Sequence, residues 1–80
     1  MSHVSKSQKA TVLREALRTW ASQADKGARR VIARKPLKGG DTQLEDVAIS
    51  CAQELREQGL IMLPPEEIRD GLKVYLAVRV

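Results

Sequence analysis

The sequence predicts a small α/β (α+β) domain in which two helices lie on one face of a small mixed sheet of three to four strands, in the order (β)αβαββ. Three observations predict it. Two segments carry apolar residues at helical spacing, the last nine residues alternate almost perfectly, and an Asp-Gly pair stands just before that alternating run. Eighty residues are enough for one domain, 1–80, with a thin core, and leave no room for a second. Hydrophobic residues at 42% and charged residues at 30% make an ordinary globular composition, so the chain is expected to fold.

The first helix is expected from about Ser7 to Ala24, where Ala10, Leu13, Ala16, Leu17, Trp20, Ala21 and Ala24 form one stripe. Lys9, Arg14, Arg18 and Gln23 lie off the stripe, and Gly27 is expected to end the helix with a left-handed cap. Trp20 sits in the stripe, which makes it a core anchor rather than a platform for a base. Ala28 to Lys35 contains the β-branched pair Val31 and Ile32 and stops at Pro36, so it reads as a strand. Leu37 to Asp41, with two glycines, is a loop. Thr42-Gln43-Leu44-Glu45 has the capping-box pattern and opens a second helix, whose stripe is Leu44, Val47, Ala48, Cys51, Ala52 and Leu55 and whose stop is Gly59.

Leu60 to Leu63 is a short apolar strand ended by Pro64-Pro65. In the final strand Leu72, Val74, Leu76, Val78 and Val80 point one way and Lys73, Tyr75, Ala77 and Arg79 the other, so the apolar set is expected on the core. Asp70-Gly71 predicts a tight turn that folds this strand back on what precedes it. A brief extra strand fits Ser2 to Ser5. The strand at Ala28 to Lys35 is expected to find a neighbour across the helix that follows it, through a right-handed crossover.

Charge is distributed unevenly. Residues 1 to 40 hold ten basic and two acidic side chains, a local charge of +8, while residues 41 to 80 hold four basic and eight acidic, −4, within a total of +4. Such a gradient suits a protein with one face turned to a polyanion, because clustered cations release counterions from phosphate backbones. Solubility is the plainer explanation of the same charges. Cys51 is the only cysteine and lies in a helical stripe, so a buried inert thiol is expected, and no intramolecular disulfide can form. His3 is the only histidine, and nothing in the sequence sets it beside the sulfur. No cysteine-histidine cluster holds a metal, no phosphate-cradling motif is present, and no small-molecule cofactor or enzymatic activity is expected. The absence of paired cysteines, of an apolar signal core before Lys9 and of a long apolar run points to a cytoplasmic protein, nucleoid-associated if it binds DNA, with no membrane partner. A core this small also favours association with a second copy.

Several segments resemble the Alba-like nucleic-acid-binding fold, in particular its stage V sporulation protein S branch. They are His3-Val4-Ser5-Lys6-Ser7, the Ala-Leu-rich first helix, Arg30-Val31-Ile32-Ala33, Asp46-Val47-Ala48-Ile49-Ser50, Leu60-Ile61-Met62-Leu63-Pro64 and the strand Leu72 to Arg79. The resemblance implies a homodimer that binds DNA or RNA. It places Lys6, with Lys9 one turn on, in the turn that touches phosphate, and Lys35 and Lys38 in the loop that faces the nucleic acid. The family's basic hairpin arm corresponds to Pro64 to Gly71. Here that segment is short and carries Glu66, Glu67 and Asp70 with only Arg69.

Helix physics leads to the same residues. Lys6 and Lys9 stand at the first helix's N-terminus, where free amides and the macrodipole favour phosphate. Lys35, Lys38 and Gly39-Gly40 precede the second helix, where a glycine loop lets amides approach an anion. Arg34 and Arg69 complete the basic candidates. Gly39-Gly40 also suits a mere connector, and Arg29, Arg30 and Arg34 also suit a solvated sheet edge that discourages aggregation. Asp41, Glu45, Asp46, Glu54 and Glu57 form an acidic face suited to solvation, to a basic partner or to a second subunit. The expectation is a largely sequence-independent nucleic-acid-binding homodimer. The alternative is a protein-interaction module, a small regulator or phage-type inhibitor, that docks through its charged faces.

Overall fold

The computed structural model describes residues 6–80. The brief strand expected at Ser2 to Ser5, and His3, lie outside the described residues. The elements run α1 (Lys6–Gln23), β1 (Arg29–Pro36), α2 (Gln43–Glu57), β2 (Ile61–Met62), β3 (Glu67–Arg69) and β4 (Leu72–Arg79). The fold class is therefore the expected one, two helices with a four-stranded sheet.

β4 is the centre of the sheet. It pairs antiparallel with β1 along one side, and on its other side with β2 near its C-terminal end and β3 near its start. β2 and β3 together form one interrupted strand, broken at Pro64-Pro65, where two missing amides cannot extend a ladder. The neighbour of β1 across α2 is β4, paired antiparallel, and not the next strand β2 in the parallel pairing that a right-handed crossover would join. β4 lies between the two, so β1 and β2 run in the same direction without touching, and every described pairing is antiparallel. β3 lies in Pro64 to Gly71, a segment whose sequence predicts only a connecting arm. Asp70 at φ 51° and Gly71 at φ 75° make the expected tight turn between β3 and β4.

α2 ends as the sequence predicts. Gly59 at φ 79° lets its amide reach the Arg56 carbonyl at 2.9 Å and the Leu60 amide reach Leu55 at 3.1 Å, a Schellman closure. Two other termini differ. α1 stops at Gln23, and Gly27 at φ 89° serves the turn into β1, its amide donating to the Arg79 carbonyl at 2.7 Å. Thr42 at φ −117°, ψ 22° makes no side-chain cap. Its hydroxyl donates to Asp46 Oδ2 at 3.3 Å, so the expected capping box does not form, and the Gln43 amide is met by Asp41 Oδ1 at 3.1 Å.

The core gathers Leu17 and Ala21 of α1, Cys51, Ala52 and Leu55 of α2, Ile61 of β2 and Ala77 of β4. Trp20 packs against it partly buried, which is the expected anchoring role. Ala21, Ala52 and Ala77 are fully buried, and their small side chains let α1, α2 and β4 approach closely. This reverses the expected orientation of β4. Alternation holds, but Ala77 faces the helices, so the set Lys73, Tyr75, Ala77 and Arg79 lies inward and Leu72, Val74, Leu76 and Val78 lie on the outer face, where Val74 alone of the four is buried, at 5% exposure. Of the inward residues Arg79 reaches furthest for partners, and its buried Nε has none among the described residues. Arg79 donates to the Leu60 carbonyl at 2.8 Å.

Candidate nucleic-acid interface

A β-bulge decides which way the basic residues of β1 point. Val31 pairs with Leu76 and Ala33 with Tyr75, so Ile32 is an extra residue on β1. Ile32 and Ala33 both turn inward, Ile32 against the core and Ala33 to 8% exposure. Beyond the bulge Arg34 pairs with Val74 and Lys35 with Lys73. Without that extra residue the two would exchange faces. Arg34 accordingly lies on the outer face, and Lys35 lies beneath α2, where its Nζ donates to Asp46 Oδ1 at 2.8 Å.

Lys9 of α1 and Lys35 of β1 both reach residues in the first turn of α2. Lys6 is the first residue of α1, and Lys9 shares a shallow apolar hollow with Val12, Leu13 and Leu44, the last in the first turn of α2. Lys35 reaches the same turn through Asp46, and Lys38 stands in the loop that leads into it. Arg69 is set apart. It lies on the opposite side of β4 from β1 and forms an ion pair with Glu67 at 2.6 Å.

The two helix starts differ electrically. The first turn of α1 contains no acidic residue, so its amides and macrodipole keep their positive character. The first turn of α2 contains Glu45 and Asp46, and Asp41 already accepts the Gln43 amide. Its own carboxylates thus occupy much of the potential that a phosphate would use. The Lys35 hydrogen bond holds the Asp46 carboxyl below its usual pKa, and the same bond raises the Lys35 ammonium above its own.

Among the described residues Arg29, Arg30, Arg34 and Lys38 are exposed and take part in no ion pair. For Arg29 and Arg30 the sequence predicts a solvated sheet edge. β1 is indeed an edge strand, and at about 3.3 Å per residue its cations, Arg29 to Lys35, spread over roughly 20 Å.

Cys51 is 2% exposed, its sulfur 3.9 Å from the Arg14 carbonyl, and burial pushes its thiol pKa up. That favours the inert thiol expected from sequence over a nucleophile. No group of three or more potential metal ligands occurs among the described residues, and no helix there is long and apolar enough to cross a membrane. No family model, curated protein or solved structure matches the chain.

Proposed function

We propose that this protein binds the phosphates of DNA or RNA without reading sequence, as a homodimer, and catalyses nothing. The cationic rim runs from Lys9 in the first turn of α1, past Lys35 and Lys38, to Arg30 on the free edge of β1, and Lys6, the first residue of α1, adds to the charge of that helix start. The observation that carries the reading is the gathering of Lys9, Lys35 and Lys38 around one helix start, next to the acid-free first turn of α1. Phosphate spacing suits such a rim better than a single pocket does. The lone Trp20 is packed on the core and Tyr75 is half-buried, so base stacking has little to work with. The resemblance to the Alba-like fold points the same way, and a reducing cytoplasm, the nucleoid included, is the compartment that suits a lone thiol.

Fluorescence anisotropy with random duplex DNA, single-stranded DNA and RNA at several salt concentrations tests this. About four neutralised phosphates give a log-log salt slope of roughly −3 to −4 on duplex DNA. Lys9→Glu with Lys38→Glu is expected to lower affinity uniformly across sequences. Absence of binding to all three at low salt overturns the reading. A second reading, docking on another protein, is favoured by one feature, the carboxylates of Asp41, Glu45 and Asp46 that crowd the start of α2.

A further inference from the structure

The outer face of the sheet is apolar and, apart from Val74 at 5% exposure, open to solvent among the described residues. The molecule is only 18 Å through its shortest dimension, room for one helical layer on one sheet. On the far side from the helices Val31 is 37% and Met62 53% exposed, with Leu72, Leu76 and Val78 half-buried beside them. A three-strand width by about 25 Å of strand gives roughly 400 Å² of such face. With its charged rim, a pair of these faces approaches the roughly 1,000 Å² total that a specific interface requires.

We propose that this face is the dimer interface, with a second copy of the chain stacked on it around a two-fold axis running along β4. The inference rests on the self-association half of the function proposed above and adds the surface and its geometry. Charge selects the occupant. Arg34 on β1 and Glu67 on β3 both pair with Val74, so the three form one row across the outer face, cation at one edge and carboxylate at the other. An axis along β4 exchanges the two edges and keeps the row at the same height. Arg34 of each copy then lies over Glu67 of the partner subunit, twice, on either side of the apolar centre.

The other two-fold arrangement, with the axis across the strands, lays β1 over β1 and brings the exposed Arg29 and Arg34 against like charge. Arg34 has no ion-pair partner among the described residues, and Glu67 bonds only the exposed Arg69 beside it. Both retain capacity for a further bond. Stacked sheets of this kind keep their strands within about 30° of one another, which preserves the row-to-row match near the axis. The interface also completes a core in which no large side chain is fully buried. It leaves Lys9, Lys35 and Lys38 uncovered, because they belong to the helix side.

Light scattering coupled to gel filtration, over a concentration series and with circular dichroism as a check on folding, tests the proposal. The full chain is expected to be a dimer, and Leu76→Asp a folded monomer. Arg34→Glu and Glu67→Arg are each expected to weaken association about tenfold or more, and the double exchange to restore it. Because both charges are exposed, the double variant keeps the test valid even if Leu76→Asp fails to fold. Tighter association on Arg34→Glu alone selects the other axis and overturns the pairing. A dimer indifferent to all these changes overturns the face. A wild-type monomer at every concentration overturns self-association itself, and phosphate binding in the anisotropy experiment is then judged separately.

Discussion

Lys35 and Asp46 show how one contact changes the meaning of a residue. From sequence, Lys35 is a cation in front of a helix. Folded, it is half of an ion pair that ties β1 to α2, its side chain 27% exposed against 58% for Asp46. The pairing was not legible because it depends on the bulge at Ile32, and nothing in Arg-Val-Ile-Ala-Arg-Lys marks an extra residue. Linkage gives the pair a pH signature. The Asp46 pKa is lowered by folding, so its contribution is present above the ordinary carboxylate value of about 3.9 and is lost as pH falls through the lowered one. The Lys35 pKa is raised, so its contribution is present below about 10.4 and is lost as pH rises through the raised value. Asp46→Asn is therefore expected to lower the thermal midpoint slightly between pH 5 and 9, with the gap closing in strong acid and in high salt. Equal midpoints for the two proteins at every pH show that the pair does not stabilise the fold.

At the scale of elements, legibility followed the strength of local constraint. α1 and α2 were readable because an apolar stripe at the helical period has one way to be buried, and the residues it named in α2, Ala48, Cys51, Ala52 and Leu55, are buried. The alternation of β4 was readable too, but alternation defines two sets and is silent about which is covered. Close packing chose Ala77 over the bulkier aliphatic residues. β3 was hidden by the two prolines that precede it and by the acidic residues around it, since its pairing comes from the turn that follows. That turn carries its own prediction. With Gly71 at φ 75°, Gly71→Ala forces a Cβ into the left-handed region and is expected to cost about 1 kcal/mol. Asp70→Asn, at φ 51°, suits the same turn at least as well as the native residue and is expected to be neutral or mildly stabilising. Urea midpoints of the two variants check this, and an unchanged midpoint for Gly71→Ala shows that the hairpin is unimportant to the cooperative unit.

For the whole molecule the governing fact is how little the helix side of the sheet contains. Three fully buried alanines stand where α1, α2 and β4 meet, so stability on that side comes from close approach of backbones more than from large apolar side chains. The candidate site depends on the same approach, since it is the packing of α1 against α2 that brings Lys9 to Leu44. Adding volume there is thus expected to damage both. Ala52→Leu is expected to lower unfolding free energy by about 1–3 kcal/mol, because the surrounding helices must separate to admit it. Leu55→Ala, which removes volume at 3% exposure, is expected to cost about 2–5 kcal/mol. Denaturant titrations at two protein concentrations read these losses and add a third observable. If a second copy binds only the folded chain, the wild-type midpoint rises with concentration by mass action. Both core variants keep that dependence, since their outer faces are intact, whereas Leu76→Asp loses it. A concentration-independent midpoint in the wild type shows that the helix-side core stabilises the fold alone, and Leu55→Ala should then be among the most damaging single changes in the chain.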